Sequence, residues 1–230
     1  EVEDIDDLNQ ILAAYSNIEV KSIFTHLAAA DEEAHRAFTV EQSNRFIDIS
    51  SQIKTNPSTQ PVYHILSSSG IVSFPEYQMD MVRLGIGLYG LDPTNSIQKE
   101  LIYPSTLKTT VSQIRNVNKG ESIGYGRKGA VKSEKTIATI AVGYADGYSR
   151  RFGNGKAQVM INGKLAPTIG NICMDMSMVD VSGLDVNVGD EVILFGKEPT
   201  IQDLANISDT IPYEILTNVS SRVKRVFFAE

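Results

Sequence analysis

The stretch Thr168-Ile169-Gly170-Asn171-Ile172-Cys173-Met174-Asp175-Met176 is a compact turn set between β-type runs. Two similar turns precede it, Ile123-Gly124-Tyr125-Gly126 and Gly143-Tyr144-Ala145-Asp146-Gly147, each with a Tyr at a bend. Around them the pattern is that of an antiparallel β domain. Residues 109–114 and 137–142 are strand-like and separated by turn chemistry. Residues 157–161 and 164–167 flank Asn162-Gly163, a pair that supplies the positive φ a tight primed turn requires. Residues 178–181 and 191–195 follow as strands, with Val188-Gly189-Asp190 as the turn between them. Two short helices are predicted next, the first capped by Thr200 and Asp203, the second opened by Pro212. Residues 223–228 read as a returning strand. Residues 101–230 are therefore predicted to be a separate, mostly antiparallel β domain.

Upstream the rhythm differs. Leu8, Ile11, Leu12 and Tyr15 recur at helical spacing, and residues 20–27 read as a buried strand. Residues 32–53, with Phe38, Val40, Phe46, Ile47 and Ile49, fit an amphipathic helix. Residues 63–66 read as a second strand ended by Ser67-Ser68-Ser69-Gly70, and residues 81–90 as a third. Strand, helix, strand, turn, strand is the rhythm of a parallel α/β layer. Three strands are too few to close a barrel, so residues 1–100 are predicted to be part of one. The opening Glu1-Val2-Glu3-Asp4-Ile5-Asp6-Asp7-Leu8 reads as an acidic helix N-terminus entered abruptly, as in a fragment.

Composition narrows the class. The 230 residues are 42% hydrophobic and 21% charged, values typical of a globular protein with a substantial core. A net charge of −7 gives no basic field to attract nucleic acid or anionic lipid. The single cysteine excludes an intrachain disulfide framework and a Cys-based zinc cage, and fits a reducing cytoplasm. No apolar run reaches membrane-spanning length.

The residues that could carry chemistry each admit two readings. Tyr125, between two glycines, is either a phenol able to take a proton from a carbon acid beside a cation, or a ring packed at a strand end. The Tyr144 loop contains Asp146-Gly147, itself turn chemistry. Arg150 and Arg151 either bind an anion or are simply solvated. Cys173-Met174 fits a core stretch, or a turn whose exposed N–H holds a carboxylate. His26, His64 and Arg83 lie at or near strand ends, where barrels build sites. Two histidines without a clustered carboxylate do not make a metal site. Residues 67–70 form either a phosphate cradle or an ordinary Ser-Gly turn.

Taken together, these turns resemble alanine racemase, a pyridoxal-phosphate enzyme family. The likeness includes Phe24-Thr25-His26-Leu27-Ala28-Ala29-Ala30-Asp31 and Met81-Val82-Arg83-Leu84-Gly85-Ile86-Gly87-Leu88-Tyr89-Gly90, and runs almost from end to end. It implies the C-terminal portion of a (β/α)8 TIM-type barrel followed by a mostly antiparallel β domain. It also implies a homodimer with active sites at the subunit interface, interconverting L- and D-alanine by two-base proton transfer to supply D-alanine for peptidoglycan. By resemblance, Tyr125 is the acid/base given to the partner subunit. Arg83 bonds the pyridine nitrogen, and His26 links that arginine to the tyrosine. Ser68, Gly85 and Ile86 hold the cofactor phosphate, and Met174 receives the substrate carboxylate on its N–H. Tyr144, Asp31 and Arg150 match the substrate entrance. Ser67 stands where many members have Asn, Ser221 where some have a phosphate-binding Tyr, and Asn171 in place of an entrance Arg seen in some relatives. No segment resembles the cofactor-lysine motif, so the resemblance implies that this lysine and a carboxylate-binding arginine lie upstream. The 230 residues alone are then expected to form no Schiff base and to be inactive, with exposed apolar strand edges. The competing readings are a related barrel-type pyridoxal-phosphate amino-acid decarboxylase and a non-catalytic β-rich binding module.

Overall fold

The computed structural model describes residues 4–56 and 60–228. The chain divides into two compact units, Glu1–Pro104 and Ser105–Glu230. Of the acidic opening, Glu1 to Glu3 lie outside the described residues.

The first unit is α/β. Helix α1 (Ile5–Ala14) starts where the Asp4 carboxylate accepts from the amides of Asp6 and Asp7, at 2.9 and 3.0 Å, satisfying donors that a first helical turn leaves free. Strand β1 (Ser22–Phe24) is followed by α2 (Arg36–Ser51) and β2 (Val62–His64), and β1 and β2 pair in parallel. Strand β1 is shorter and less buried than expected. It has one paired neighbour, and Phe24 is 62% exposed. The buried face of α2 consists of Thr39, Ser43, Phe46 and Ser50. Thr39 and Ser43 can be buried because their hydroxyls donate to the carbonyls of Ala29 and Thr39. Ser67-Ser68-Ser69-Gly70 opens a helix, α3 (Ser68–Ser73), instead of forming only a turn. Leu27, Ala30, Phe46, Ile65, Leu66 and Phe74 make the core.

Residues 81–90 do not form the expected third strand. They contribute one parallel bridge, Ser67 to Arg83, and then a 3₁₀ turn at Ile86–Tyr89. The glycines explain the difference. The amides of Gly85 and Gly87 turn toward the Ser68 hydroxyl, at 3.0 and 3.1 Å, instead of entering a ladder.

The second unit is a six-stranded antiparallel sheet with a hairpin and two helices. In chain order the elements are β3 (Leu107–Val117), β4 (Ser122–Ile123), β5 (Gly129–Ala130), β6 (Lys135–Ile140), β7 (Gln158–Ile161), β8 (Lys164–Pro167), β9 (Ser177–Asp180), β10 (Glu191–Phe195), α4 (Ile201–Ser208) and α5 (Pro212–Thr217). The sheet order is β8-β7-β10-β3-β6-β9, with β4 and β5 a separate hairpin. Both edges nearly meet. Thr168, just after β8, bridges antiparallel to Val179 of β9, and the Ile169 amide donates to the Met178 carbonyl at 2.8 Å. This leaves little open sheet edge. Local signals hold here. Asn162 and Gly163 have φ of 48° and 75° at the β7–β8 turn. Thr200 and Asp203 form a reciprocal capping box on α4, and Pro212 opens α5. Residues 223–228 do not return as a strand. Arg225 instead donates to the carbonyls of Val219, Ser220 and Val223. Among the described residues no helix is long and apolar enough to cross a membrane.

Candidate active site

In the first unit the site is built around Arg83, at the C-terminal ends of the parallel strands. The guanidinium donates to the carbonyls of Thr25 at 2.8 Å and Ile65 at 3.2 Å, which directly follow β1 and β2, and of His64 at 3.3 Å, which ends β2. It also contacts His64 Nδ1, and His26 Nδ1 at 3.3 Å. A guanidinium only donates, so a neutral imidazole bonded to it through Nδ1 accepts there and carries its proton on Nε2. His64 is 5% exposed, and its pKa is lowered first by burial and then by the Arg83 charge. Burial also lowers the Arg83 pKa, yet from so high an ordinary value that it stays a cation at neutral pH. Phe24 stacks on His64 with centroids 5.0 Å apart, and the guanidinium carbon lies 5.5 Å from the Phe24 centroid. Within the described residues Arg83 Nε makes no hydrogen bond, leaving one N–H of a fixed cation for a ligand.

Ser68, Gly85 and Ile86 lie together. Ser68 Oγ accepts from Gly85 and Gly87, leaving its own proton to donate. The Gly85 amide is thus already used, whereas Ile86 opens a 3₁₀ turn and its N–H has no acceptor inside that turn. Asp31 is exposed.

In the second unit Tyr125 sits at the tip of the β4–β5 hairpin and is 77% exposed. Gly124, Gly126 and Arg127 all have positive φ, at 73°, 67° and 53°, which is why glycines flank the tyrosine. The Asn171 amide Nδ2 donates to the Tyr125 carbonyl at 3.0 Å.

Tyr144 and Met174 lie on two loops joined back to back. The Tyr144 amide donates to the Cys173 carbonyl and the Ala145 amide to that of Met174, both at 3.0 Å. Gly143 permits this approach, since a Cβ there would lie 2.3 Å from the Met174 carbonyl oxygen. The Met174 N–H makes no hydrogen bond within the described residues, and the residue is 54% exposed. Arg222 clamps the pair, its Nε donating to Asp146 at 2.7 Å and an NH2 proton to Asp175 at 2.6 Å. Burial pushes the Asp146 carboxyl up, but the Arg222 and Gly143 hydrogen bonds outweigh it and leave the pKa below the ordinary carboxylate value. The two arginines that looked alike in sequence separate: Arg151 is tied to the Ser208 carbonyl, while Arg150 is exposed and unpaired among the described residues.

Three of these residues carry little signal in the sequence: His64 stands at a strand end, Asn171 departs from a family residue, and Arg222 has no local mark. Arg222 lies 76 residues from Asp146 and 47 from Asp175, so no local pattern marks it.

Comparison with known proteins covers both units. Residues 105–227 match the family model described as the alanine racemase C-terminal domain, and residues 1–93 that of the N-terminal domain. The chain is 42% identical over 222 residues to the alanine racemase of Clostridium novyi, covering 92% of this chain and 56% of that protein. It superimposes on alanine racemase from Bartonella henselae, solved with covalently bound pyridoxal phosphate, with a TM-score of 0.87 and 30% identity over 99% of this chain and 62% of that one. For the Clostridium difficile 630 enzyme in complex with cycloserine the values are 0.84 and 36%, over 96% and 59%. The chain therefore spans somewhat more than half the length of these relatives. The expected fold, the C-terminal portion of a (β/α)8 TIM-type barrel followed by a mostly antiparallel β domain, is the fold of these structures. With a C-terminal domain match over residues 105–227 and an N-terminal one over residues 1–93, the chain belongs to the alanine racemase family.

Proposed function

We propose that the protein carrying this chain is a pyridoxal-phosphate-dependent alanine racemase, active as a homodimer. The observation that carries this reading is Arg83, a cation fixed by strand-end carbonyls and two imidazoles with its Nε left free. The residues present fit the cofactor. Arg83 Nε–H would meet the pyridine nitrogen, while the Ser68 hydroxyl and the Ile86 N–H would hold the phosphate. Gly85 contributes through its bond to Ser68. When bound, the cofactor supplies an electron sink that acidifies the substrate Cα–H. A guanidinium does not readily give its proton to the ring nitrogen, so Arg83 would keep that sink weak and limit side reactions.

The remaining groups move or hold the proton. Tyr125, at an exposed tip, would reach the site of a second copy and act as one of two opposed acid/bases. His26 Nε2–H would donate toward the phenol oxygen and favour the phenolate. The free Met174 N–H would receive the substrate carboxylate, and Tyr144, Asp31 and Arg150 would line the approach. The second base, a cofactor-bearing lysine, has no matching position in these residues.

The test uses the full-length protein with pyridoxal phosphate. Borohydride should trap the cofactor on the protein, L-alanine should yield D-alanine, and Tyr125→Phe should abolish most turnover. Evolution of CO2 from an amino acid, with alanine left unracemised, would instead select the decarboxylase reading. No cofactor capture at all would select a binding module.

A further inference from the structure

We propose that Asn171 is a positioning residue for Tyr125, its side-chain amide bracing the hairpin that presents the phenol. The inference rests on the reading of Tyr125 as an acid/base and adds what holds it in place.

Of the hairpin's own side chains, Arg127 donates from Nε to Ser122 Oγ at 3.0 Å, which ties the tip to β4 but does not reach the Tyr125 carbonyl. Strands β4 and β5 are two residues each, and across the tip the Arg127 amide donates to the Gly124 carbonyl at a long 3.3 Å. Three positive-φ residues crowd the same loop. The Tyr125 carbonyl is held from outside, by Asn171 Nδ2 at 3.0 Å. The amide can face only one way, because a main-chain carbonyl accepts and cannot donate. That leaves Asn171 Oδ1 on the other side, where Asn154 Nδ2 donates to it at 3.0 Å. Asn154 is itself anchored, its main-chain N–H donating to the Gly170 carbonyl at 2.8 Å with φ at 60°.

The base of the hairpin packs on the same turn. A Cβ on Gly129 would lie 3.1 Å from the Gly170 Cα, and one on Gly170 would lie 2.8 Å from the Ile123 carbonyl oxygen. The hairpin therefore rests on residues 170–171 at its base and is tied to Asn171 at its tip. Three residues further on, the same turn presents the Met174 N–H. One carboxamide thus links the placement of the phenol to that of the carboxylate-binding amide. A residue lacking either a donor or an acceptor at this reach cannot make the link. Proton transfer is sensitive to such placement, a misfit near 1 Å costing on the order of 10²-fold in rate.

The experiment uses the full-length holoenzyme and compares Asn171→Ala, Asn171→Asp, Asn154→Ala and Tyr125→Phe with wild type. Steady-state kinetics with L- and D-alanine, primary isotope effects with 2-deuterated substrate in each direction, and thermal melts are recorded. The aspartate keeps the shape and the bond to Asn154 but turns an acceptor toward the Tyr125 carbonyl. Asn171→Ala and Asn171→Asp are expected to lower kcat by about 10- to 100-fold with KM little changed and melting near wild type. The isotope effect should rise only in the direction where the phenol removes the α-proton. Asn154→Ala should lose less, and combining it with Asn171→Ala should add nothing further. Wild-type kcat and isotope effects in both Asn171 variants, with Tyr125→Phe inactive, would overturn the role of Asn171 alone. A fully active Tyr125→Phe would overturn the reading of Tyr125 on which it rests.

Discussion

Replacing Gly143 by Ala is expected to damage the loops that carry Tyr144 and Met174 far more than its one methyl suggests. Gly143 has φ −148°, so its backbone suits any residue and the obstacle is purely steric. The new Cβ would stand 2.3 Å from the Met174 oxygen and 2.4 Å from that of Cys173. Ordinary carbon–oxygen contact begins at roughly 3.3 Å, so the two loops must part by about 1 Å. Both neighbours are backbone and cannot swing aside. Parting the loops stretches the Tyr144-to-Cys173 and Ala145-to-Met174 hydrogen bonds, each contributing about 1 kcal/mol. The expected loss is therefore about 2 kcal/mol in stability, and on the order of 10²-fold in kcat/KM because the Met174 amide moves with its loop. Gly163→Ala is the control. It has φ 75° and nothing within 4 Å, so it costs about 1–2 kcal/mol of left-handed strain and leaves the site untouched. Denaturant melts and racemisation kinetics on the full-length protein separate the two effects. The reasoning fails if Gly143→Ala retains kcat/KM within about threefold of wild type while melting like Gly163→Ala.

Other outcomes are expected from the same structure. Tyr148 is 1% exposed, packs on Phe152, and its hydroxyl has no partner within the described residues, burial raising its pKa. Tyr148→Phe should therefore stabilise the fold by about 1 kcal/mol, and a clear drop in melting temperature would reveal a bonded hydroxyl. The folded state lowers the His64 pKa, so the unfolded chain binds that proton more tightly. Stability is then complete above the ordinary imidazole value of about 6.5 and declines as pH falls below it. His64→Gln should flatten the melting profile between about pH 7 and 5, and profiles parallel to wild type would rule this out. Arg222→Ala should raise KM for alanine by roughly two- to fivefold, with partial recovery in Arg222→Lys, since one ammonium cannot span both carboxylates as the fork does. Unchanged KM in both variants would mean the clamp does not set the loops.

What the sequence determined by itself is what short-range chemistry controls. Asn162-Gly163 needed only its own torsions to specify the β7–β8 turn, and Thr200 with Asp203 only each other to start α4. The ordered turn motifs, read as a set, were enough to indicate the family. Tertiary structure decided wherever a partner lies far along the chain. Residues 81–90 carry strand-like side chains, yet their glycine amides turn to the Ser68 hydroxyl 17 and 19 residues away. In α2 the buried stripe is largely hydroxyl, with Phe38 left 52% exposed, because burial there depends on carbonyls of other turns. Arg222, Asn171 and His64 acquire meaning only through Asp146, Tyr125 and Arg83. A hydrogen bond is set by geometry across space, and residue spacing carries no trace of it until the chain has folded.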